Sequence, residues 1–167
     1  MYKYNVEELV EKLQLLPHPE GGYYKEIYRS QEEICEASLT PLNIDGKRNF
    51  CTSIFFLLTQ ENFSAFHRIK QDELWHFYYG DPLTVHVIDN KGHYNPIKIG
   101  GIDQGLLPTC TVTANQWFGS SVKNGFALVG CTVAPGFDFR DFELAKRSDL
   151  ITQFPQHREI ICKLTRD

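Results

Sequence analysis

The residues best suited to chemistry in this 167-residue chain lie in one stretch, HRIKQDELWHFYYG, at positions 67–80. His67 and Glu73 stand there among aromatic and aliphatic residues that are typical of a buried strand. An imidazole and a carboxylate that converge on one point can ligate a metal ion or transfer protons. Either chemistry requires the two side chains to face the same space.

Alternation of side chains along a strand predicts how these residues are arranged. Successive side chains point to opposite faces, so the odd-numbered residues of segments 63–69 and 73–79 share one face of each strand. If the two segments pair as antiparallel neighbours, His67 and Glu73 meet on a common face. His76 then points to the other side of the sheet, unless a bulge turns it.

The rest of the chain predicts mostly strands. A first helix begins at Asn5, a good N-cap residue, and continues to Leu16 before a proline. Between residues 23 and 134, period-two alternation and short apolar runs predict about eight strands separated by turns. Helical spacing returns at 148–165, where Pro155 divides the segment into two short helices. This order predicts an all-β antiparallel sandwich or barrel of the jelly-roll type with short terminal helices.

Six blocks of sequence make this prediction more specific. In chain order they are PHPEGGYYKEIYRS, TSIFFLL, AFHR, DELWHFYYGDPL, QWF and LVGCTVAPGFDF. Together they resemble the DUF985 (cupin 5) family of the cupin superfamily over residues 7–164. The resemblance implies an epimerase-like double-stranded β-helix barrel and a homodimer. We expect a single domain spanning 1–167, with the barrel at roughly 21–140 and flanking helices at 5–16 and 148–165.

The same resemblance bears on metal binding. The first cupin motif has two histidines one residue apart, then a glutamate and a glycine. His67, Glu73 and the glycine match it, but Ile69 replaces the second histidine. The second motif corresponds to residues 112–120, where its histidine, proline and glycine are missing and Phe118 or a neighbour stands at the histidine position. Two ligands are too few for tight binding of a transition metal, so the sequence predicts no metal cofactor.

Without a metal, His67 and Glu73 have two explanations. A histidine held beside a buried carboxylate has a fixed tautomer and a raised pKa, which suits proton transfer. The resemblance to cofactor-free epimerases implies His67 as the base and a tyrosine as the acid. The candidate acids are four tyrosines: Tyr24, Tyr28, Tyr78 and Tyr79. Alternatively, the pair only satisfies its own hydrogen bonds in the pocket of a binding or sensing module; a degenerate metal-dependent dioxygenase is a third possibility.

Other polar and aromatic residues are candidates for contacts with a ligand. Arg29 and Arg68 could anchor a phosphate or carboxylate, although an arginine exposed on a strand is equally common. Trp117 could stack on a sugar or pack in the core, and Asp138 could orient a site group or cap a turn. His18 has no convergent partner in the sequence and is predicted to lie at the surface or to pack. The predicted ligand-binding residues are Tyr24, Arg29, Arg68, His76, Trp117 and Asp138.

Composition narrows the class of partner. The net charge is −4 without long runs of one sign, which argues against nucleic acid and anionic membranes. No apolar stretch is long enough to span a bilayer, and the five cysteines include no CxxC pair. We therefore expect a cytoplasmic homodimer with reduced thiols whose ligand is a small polar molecule, such as a sugar or sugar-nucleotide.

Overall fold

The computed structural model describes residues 2–166, most of which lie in antiparallel strands and the turns between them. The helices are α1 (Val6–Leu13), α2 (Glu36–Leu39), α3 (Arg147–Gln153) and α4 (Arg158–Lys163). Single turns of 3-10 helix lie at Thr40–Leu42, Ile102–Gln104, Phe139–Asp141 and Pro155–His157. The strands are β1 (Leu16–Pro17), β2 (Tyr23–Arg29), β3 (Glu33–Ile34), β4 (Arg48–Asn49), β5 (Thr52–Thr59), β6 (Phe63–Arg68), β7 (Asp72–Gly80), β8 (Leu83–Ile88), β9 (Tyr94–Ile99), β10 (Thr109–Val112), β11 (Trp117–Val122), β12 (Phe126–Ala134) and β13 (Glu143–Leu144).

Two antiparallel sheets form the body of the molecule. The six-stranded sheet has the order β1-β2-β5-β12-β7-β10, and the five-stranded sheet has the order β13-β6-β11-β8-β9. Strands β3 and β4 form a small separate ribbon within the segment that the sequence predicted to be a loop. The prediction of an all-β antiparallel sandwich is confirmed.

Strands β6 and β7 do not pair, so the antiparallel pairing considered for segments 63–69 and 73–79 is not the one that the chain adopts. Strand β6 pairs with β11 and β13 in the five-stranded sheet, whereas β7 pairs with β12 and β10 in the six-stranded sheet. The link between them, residues 69–71, therefore crosses from one sheet to the other. Its apolar and polar side chains are both buried: Ile69 packs in the core, and Gln71 donates a hydrogen bond to Asp141 over 2.6 Å.

The main core fills the space between the two sheets. Phe56, Trp75 and Val129 project from the six-stranded sheet against Val85 and Phe118 from the five-stranded sheet. A helix covers part of the outer face of each sheet, because each helix has an apolar stripe that must be buried. Helix α1 packs on the six-stranded sheet, and α3 and α4 pack on the five-stranded sheet.

Two β-bulges change which side chains reach the interior. In β2 the register shifts between Glu26 and Tyr28, and in β7 the register against β12 shifts at the position of Tyr78. An extra residue in a strand reverses the alternation that follows it. Tyr79 consequently packs under α1 on the outer face, so the prediction that it shares a face with Glu73 is wrong.

The terminal helices resemble the predicted ones. Asn5 caps α1 in a capping box, as its position predicted, but the helix ends at Leu13, and Leu16 already pairs with Tyr24 in the sheet. The predicted division of the C-terminal helical segment at Pro155 is confirmed. Among residues 2–166, no helix has the length and apolar composition needed to cross a membrane.

Candidate functional site

A cavity of about 380 Å³ opens between the two sheets, at the low end of the volume range of small-molecule sites. Its lining includes four titratable side chains that are largely buried, together with further charged, aromatic and small residues. The first group is His18, Glu20, His67 and Glu73. The others are Tyr24, Glu26, Arg29, Thr52, Ile54, Cys131, Val133, Phe137, Asp138, Phe139 and Phe142.

A tight turn at residues 18–22 places the first two of these side chains. His18 and Gly22 are joined by a backbone hydrogen bond, and both Gly21 and Gly22 have positive φ angles of 116° and 73°. A Cβ atom at Gly21 would lie 2.1 Å from the carbonyl oxygen of Phe63, so glycine is required there. The turn therefore presses against β6 and directs Glu20 toward the cavity.

His67 is held from both ring nitrogens. Its Nδ1 donates a hydrogen bond to the carbonyl oxygen of Ala65 over 2.7 Å, which fixes the neutral tautomer with the hydrogen on Nδ1. Its Nε2 lies 3.0 Å from Oε2 of Glu20. The ring also packs against Phe118 and Phe142, with centroids 4.1 and 5.2 Å away.

Burial sets the protonation of this pair. Burial lowers the pKa of His67, and the carboxylate of Glu73 only partly opposes that effect. Burial likewise raises the pKa of Glu20. A neutral Glu20 can therefore donate its proton to Nε2 of His67, so that one proton is shared across the pair. The predicted rise in the pKa of His67 is wrong, because desolvation outweighs the attraction of the nearby carboxylate.

Glu73 enters the same cavity from the other sheet. Its side chain is buried, and burial raises its pKa to about 7. The interaction with His67 and a hydrogen bond from the Cys131 thiol both lower the pKa of Glu73, but by less than burial raises it. A carboxyl group with a pKa near 7 can both accept and donate a proton at neutral pH. His67 and Glu73 thus reach one space, as predicted, but from facing sheets.

Three of the predicted ligand-binding residues line the cavity: Tyr24, Arg29 and Asp138. The bulge in β2 accounts for Arg29, because simple alternation would place it on the face opposite Tyr24 and Glu26. All three guanidinium nitrogens of Arg29 already donate hydrogen bonds, to the carboxylate of Glu26, to Asn49 and to the carbonyl oxygen of Phe137. Asp138 caps the turn that follows it, which was one of the two roles predicted for it, and it pairs with Arg140.

The other three predicted residues lie outside the cavity. Arg68 pairs with Glu143 over 2.7 Å and stacks on Trp117, whose ring is buried under the C-terminal helices. His76 lies beside Gly130 of β12 in the sheet. A Cβ atom added at Gly130 would touch the side chain of Tyr78, which points outward, so this position faces the outer side of the sheet. His76 therefore belongs to the outer face of the six-stranded sheet, as alternation predicted.

The prediction that His18 has no convergent partner is wrong. Its Nδ1 accepts a hydrogen bond from the backbone N–H of Glu20, and its ring meets Tyr24 edge-on at 4.5 Å. The turn brings His18 and Glu20 together although they are only two residues apart in the chain. A comparison of motifs that lie far apart in the sequence does not include such a local pair. The PHPEGG block, with two glycines next to a histidine and a glutamate, carried the signal.

Only one of the four candidate acids is in a position to meet a ligand in the cavity. Tyr24 lines it, whereas Tyr28 and Tyr78 are exposed on the outer face and Tyr79 packs with α1. The two bulges are the reason, since each moves a tyrosine to the outer face.

The side chains do not fit the metal site of the cupin motif. Ile69 is buried in the apolar core, and the ring of Phe118 covers His67 where the motif would supply a further histidine. Nε2 of His67 is already engaged by Glu20. Within the described part of the chain, no group of three or more His, Cys, Asp or Glu side chains has the arrangement needed to hold a metal ion.

Comparison with protein families gives a match over most of the chain. The model of the family described as Cupin superfamily (DUF985) matches residues 7–145. An uncharacterized protein of Saccharomyces cerevisiae is 27% identical over 158 residues, which cover 87% of this chain and 77% of the yeast protein. These matches agree with the resemblance drawn from the six sequence blocks.

Solved structures with the same architecture include two of similar length. A hypothetical protein from Leishmania major has a TM-score of 0.88 and 36% identity, covering 98% of this chain and 100% of that one. A protein from Shewanella oneidensis has a TM-score of 0.87 and 36% identity, covering 98% of both chains. Oxalate decarboxylase from Bacillus subtilis is 15% identical with a TM-score of 0.54, and 36% of its length is covered, so this likeness concerns the fold alone. The predicted cupin fold is confirmed.

Proposed function

This chain belongs to the cupin superfamily (DUF985), and we propose that it binds a small polar molecule in its cavity and transfers a proton to or from it without a metal. The observation that carries the proposal is the meeting of two proton-carrying groups in one buried space. Glu73 enters from the six-stranded sheet, and the His67–Glu20 pair faces it from the other side. A buried cavity with convergent titratable groups is the usual form of an acid/base site.

The two groups have different roles. Glu73, with a pKa raised by burial to about 7, is half ionised at neutral pH and is the better base. Nε2 of His67 accepts the hydrogen bond of Glu20, so His67 can take up a proton only together with a change at Glu20. We therefore assign Glu73 as the primary base and the His67–Glu20 pair as the opposing acid. Epimerisation by two groups needs such an acid and base on opposite sides of the reacting carbon.

The proposed ligand is smaller than a sugar-nucleotide. Among the described residues, four carboxyl groups and one arginine line the cavity, and the arginine already pairs with Glu26. A diphosphate would meet the partly ionised Glu73 and would find no free cation among these residues to receive it. A single sugar or a molecule of similar size agrees better with a cavity of about 380 Å³.

Proton transfer can be tested on the occupant of the cavity. Untagged protein purified from cells would be analysed by native mass spectrometry, and the released molecule would be returned to the enzyme in deuterium oxide. We expect deuterium at one carbon of the molecule with the wild type and none with Glu73→Gln. A bound molecule that gains no deuterium with the wild type would instead support the alternative, a binding or sensing module.

The outer face of the six-stranded sheet is the proposed surface for a homodimer. Tyr28, Leu74 and Tyr78 are 55%, 39% and 48% exposed on the part of this face that α1 leaves uncovered. Tyr28 and Leu74 lie in one row across the sheet, because Tyr28 is in register with Ser53, Ser53 with Thr132, and Thr132 with Leu74. The hydrogen-bonded hydroxyls of Ser53 and Thr132 lie between them, so the proposed surface combines exposed tyrosine and leucine side chains with polar ones.

A further inference from the structure

We propose that the ligand of this cavity is a small organic cation, such as an amine or amidine, that binds the Glu73 carboxylate. The inference rests on the proposed binding function and specifies the charge of the ligand. It follows from the charges and ring systems of the cavity wall.

The first argument is the balance of charge. Glu20, Glu26, Glu73 and Asp138 line the cavity, whereas Arg29 is its one lysine or arginine among the residues described. Nε and Nη2 of Arg29 donate to the two carboxylate oxygens of Glu26 over 3.0 and 2.7 Å, so its charge is already neutralised. Asp138 likewise pairs with Arg140 over 2.7 Å, and Glu20 shares its proton with His67. An anionic ligand would therefore meet the partly ionised Glu73 and no free cation among these lining residues.

The second argument is that no lysine or arginine in residues 2–166 forms an ion pair with Glu73. The groups that act on its titration are His67, Glu20, and the thiols of Cys131 and Cys110, none of them a permanent cation. A buried carboxylate without a cation is unfavourable, and an opposite charge brought beside it would stabilise the ionised form. A ligand ammonium or amidinium would supply that charge together with N–H donors.

The third argument is the aromatic wall. Tyr24, Phe137, Phe139 and Phe142 line the same cavity as the buried carboxyl groups. Aromatic ring faces attract cations, and they do so more strongly where water is excluded. Carboxylates and aromatic rings around one small cavity are the combination that recognises organic ammonium ions.

Three probes of one shape and different charge test the inference: benzylammonium, benzyl alcohol and benzoate. Binding to the wild type would be followed at pH 7 through amide chemical shifts of residues around the cavity. We expect benzylammonium to bind about tenfold or more tightly than benzyl alcohol, because a charged hydrogen bond is added, and benzoate not to bind. Glu73→Gln should abolish the preference for the cation, and Glu61→Gln, at an exposed position, should preserve it.

Calorimetry provides a second readout that does not depend on a variant. Because Glu73 has a pKa of about 7, binding of a cation at pH 7 should release about half a proton per site, seen as a dependence of the binding heat on the buffer. Benzoate that binds as well as benzylammonium would overturn the inference and leave a polar ligand site intact. If none of the probes shifts the cavity resonances, the inference also fails. The proposed function fails separately if protein from cells carries no small molecule.

Discussion

Nε2 of His67 lies 3.0 Å from Oε2 of Glu20, and the two side chains belong to segments more than forty residues apart in the chain. The histidine that the cupin motif assigns to metal ligation is therefore engaged by a carboxyl group from the turn before β2. Both groups are buried, and burial lowers the pKa of the histidine and raises that of the carboxyl group. The pair is neutral and holds one proton that can move between its members.

The tautomer of His67 follows directly from this contact. We expect Nδ1 to carry the hydrogen and Nε2 to be unprotonated at pH 7, because Nδ1 donates to the Ala65 carbonyl and burial disfavours the charged ring. Long-range proton–nitrogen NMR correlations of the imidazole distinguish the two nitrogens. Protonation of both nitrogens at pH 7 would contradict the neutral pair.

The raised pKa of Glu73 makes stability depend on pH in a defined direction. The folded protein holds the proton of Glu73 more tightly than the unfolded chain does. The contribution of this group to the free energy of unfolding is therefore fully present below a pH of about 4.5 and is lost as the pH rises through about 7. Glu73→Gln is uncharged and lacks this loss. Relative to the wild type, its free energy of unfolding should therefore improve by about 2–3 kcal/mol between pH 5 and pH 8.

Urea denaturation at the two pH values measures this difference. Glu61→Gln serves as the control, since its side chain is exposed and should change the free energy of unfolding equally at both. A difference between Glu73→Gln and the wild type that does not vary with pH would show that Glu73 titrates normally.

A buried ion pair fastens the segment that carries Phe139 and Phe142 over the cavity. Nε and Nη2 of Arg48 donate to the two carboxylate oxygens of Asp141 over 2.7 and 2.8 Å, with both side chains buried. Asp141→Ala leaves a buried charge without its partner and should lower the free energy of unfolding by about 3–5 kcal/mol.

An exposed pair in the same region provides the comparison. Arg68 and Glu143 are 39% and 54% exposed, so Glu143→Ala should lower the free energy of unfolding by less than about 1 kcal/mol. Equal losses for the two alanine variants would mean that burial does not strengthen the Arg48 pair.

The proposed homodimer predicts a response to charge on one face. Leu74→Glu and Tyr78→Glu place carboxylates on the uncovered outer face of the six-stranded sheet and should convert a dimer to a monomer in sedimentation velocity. Leu144→Glu, on the edge of the other sheet, should leave the dimer unchanged. A monomeric wild type, or dissociation by Leu144→Glu alone, would contradict this choice of surface.

Sequence patterns predicted the class of fold and the central residues, because both depend on local alternation and on short motifs. Alternation placed His67 and Glu73 correctly toward the interior, and it placed His76 outside. It could not predict that β6 and β7 belong to different sheets, since strand pairing depends on contacts between distant segments.

Bulges and turns account for the remaining differences. The bulge in β2 directs Arg29 inward, and the bulge in β7 directs Tyr79 outward, both against simple alternation. His18 and Glu20 enter the site through a glycine turn whose direction is set by its fit against the carbonyl oxygen of Phe63. The PHPEGG block indicates a turn in the sequence, but the direction of the turn is set by packing in the folded chain.

The titration of Glu73 tests the central claim most directly, because a carboxyl group that exchanges protons at neutral pH is the basis of the proposed chemistry. Carbon NMR of protein labelled at the glutamate side-chain carboxyl would follow its chemical shift from pH 4 to pH 9, with Glu73→Gln to assign the signal. The account predicts a midpoint at a pKa of about 7. A midpoint near the ordinary glutamate pKa of about 4.3 would contradict it.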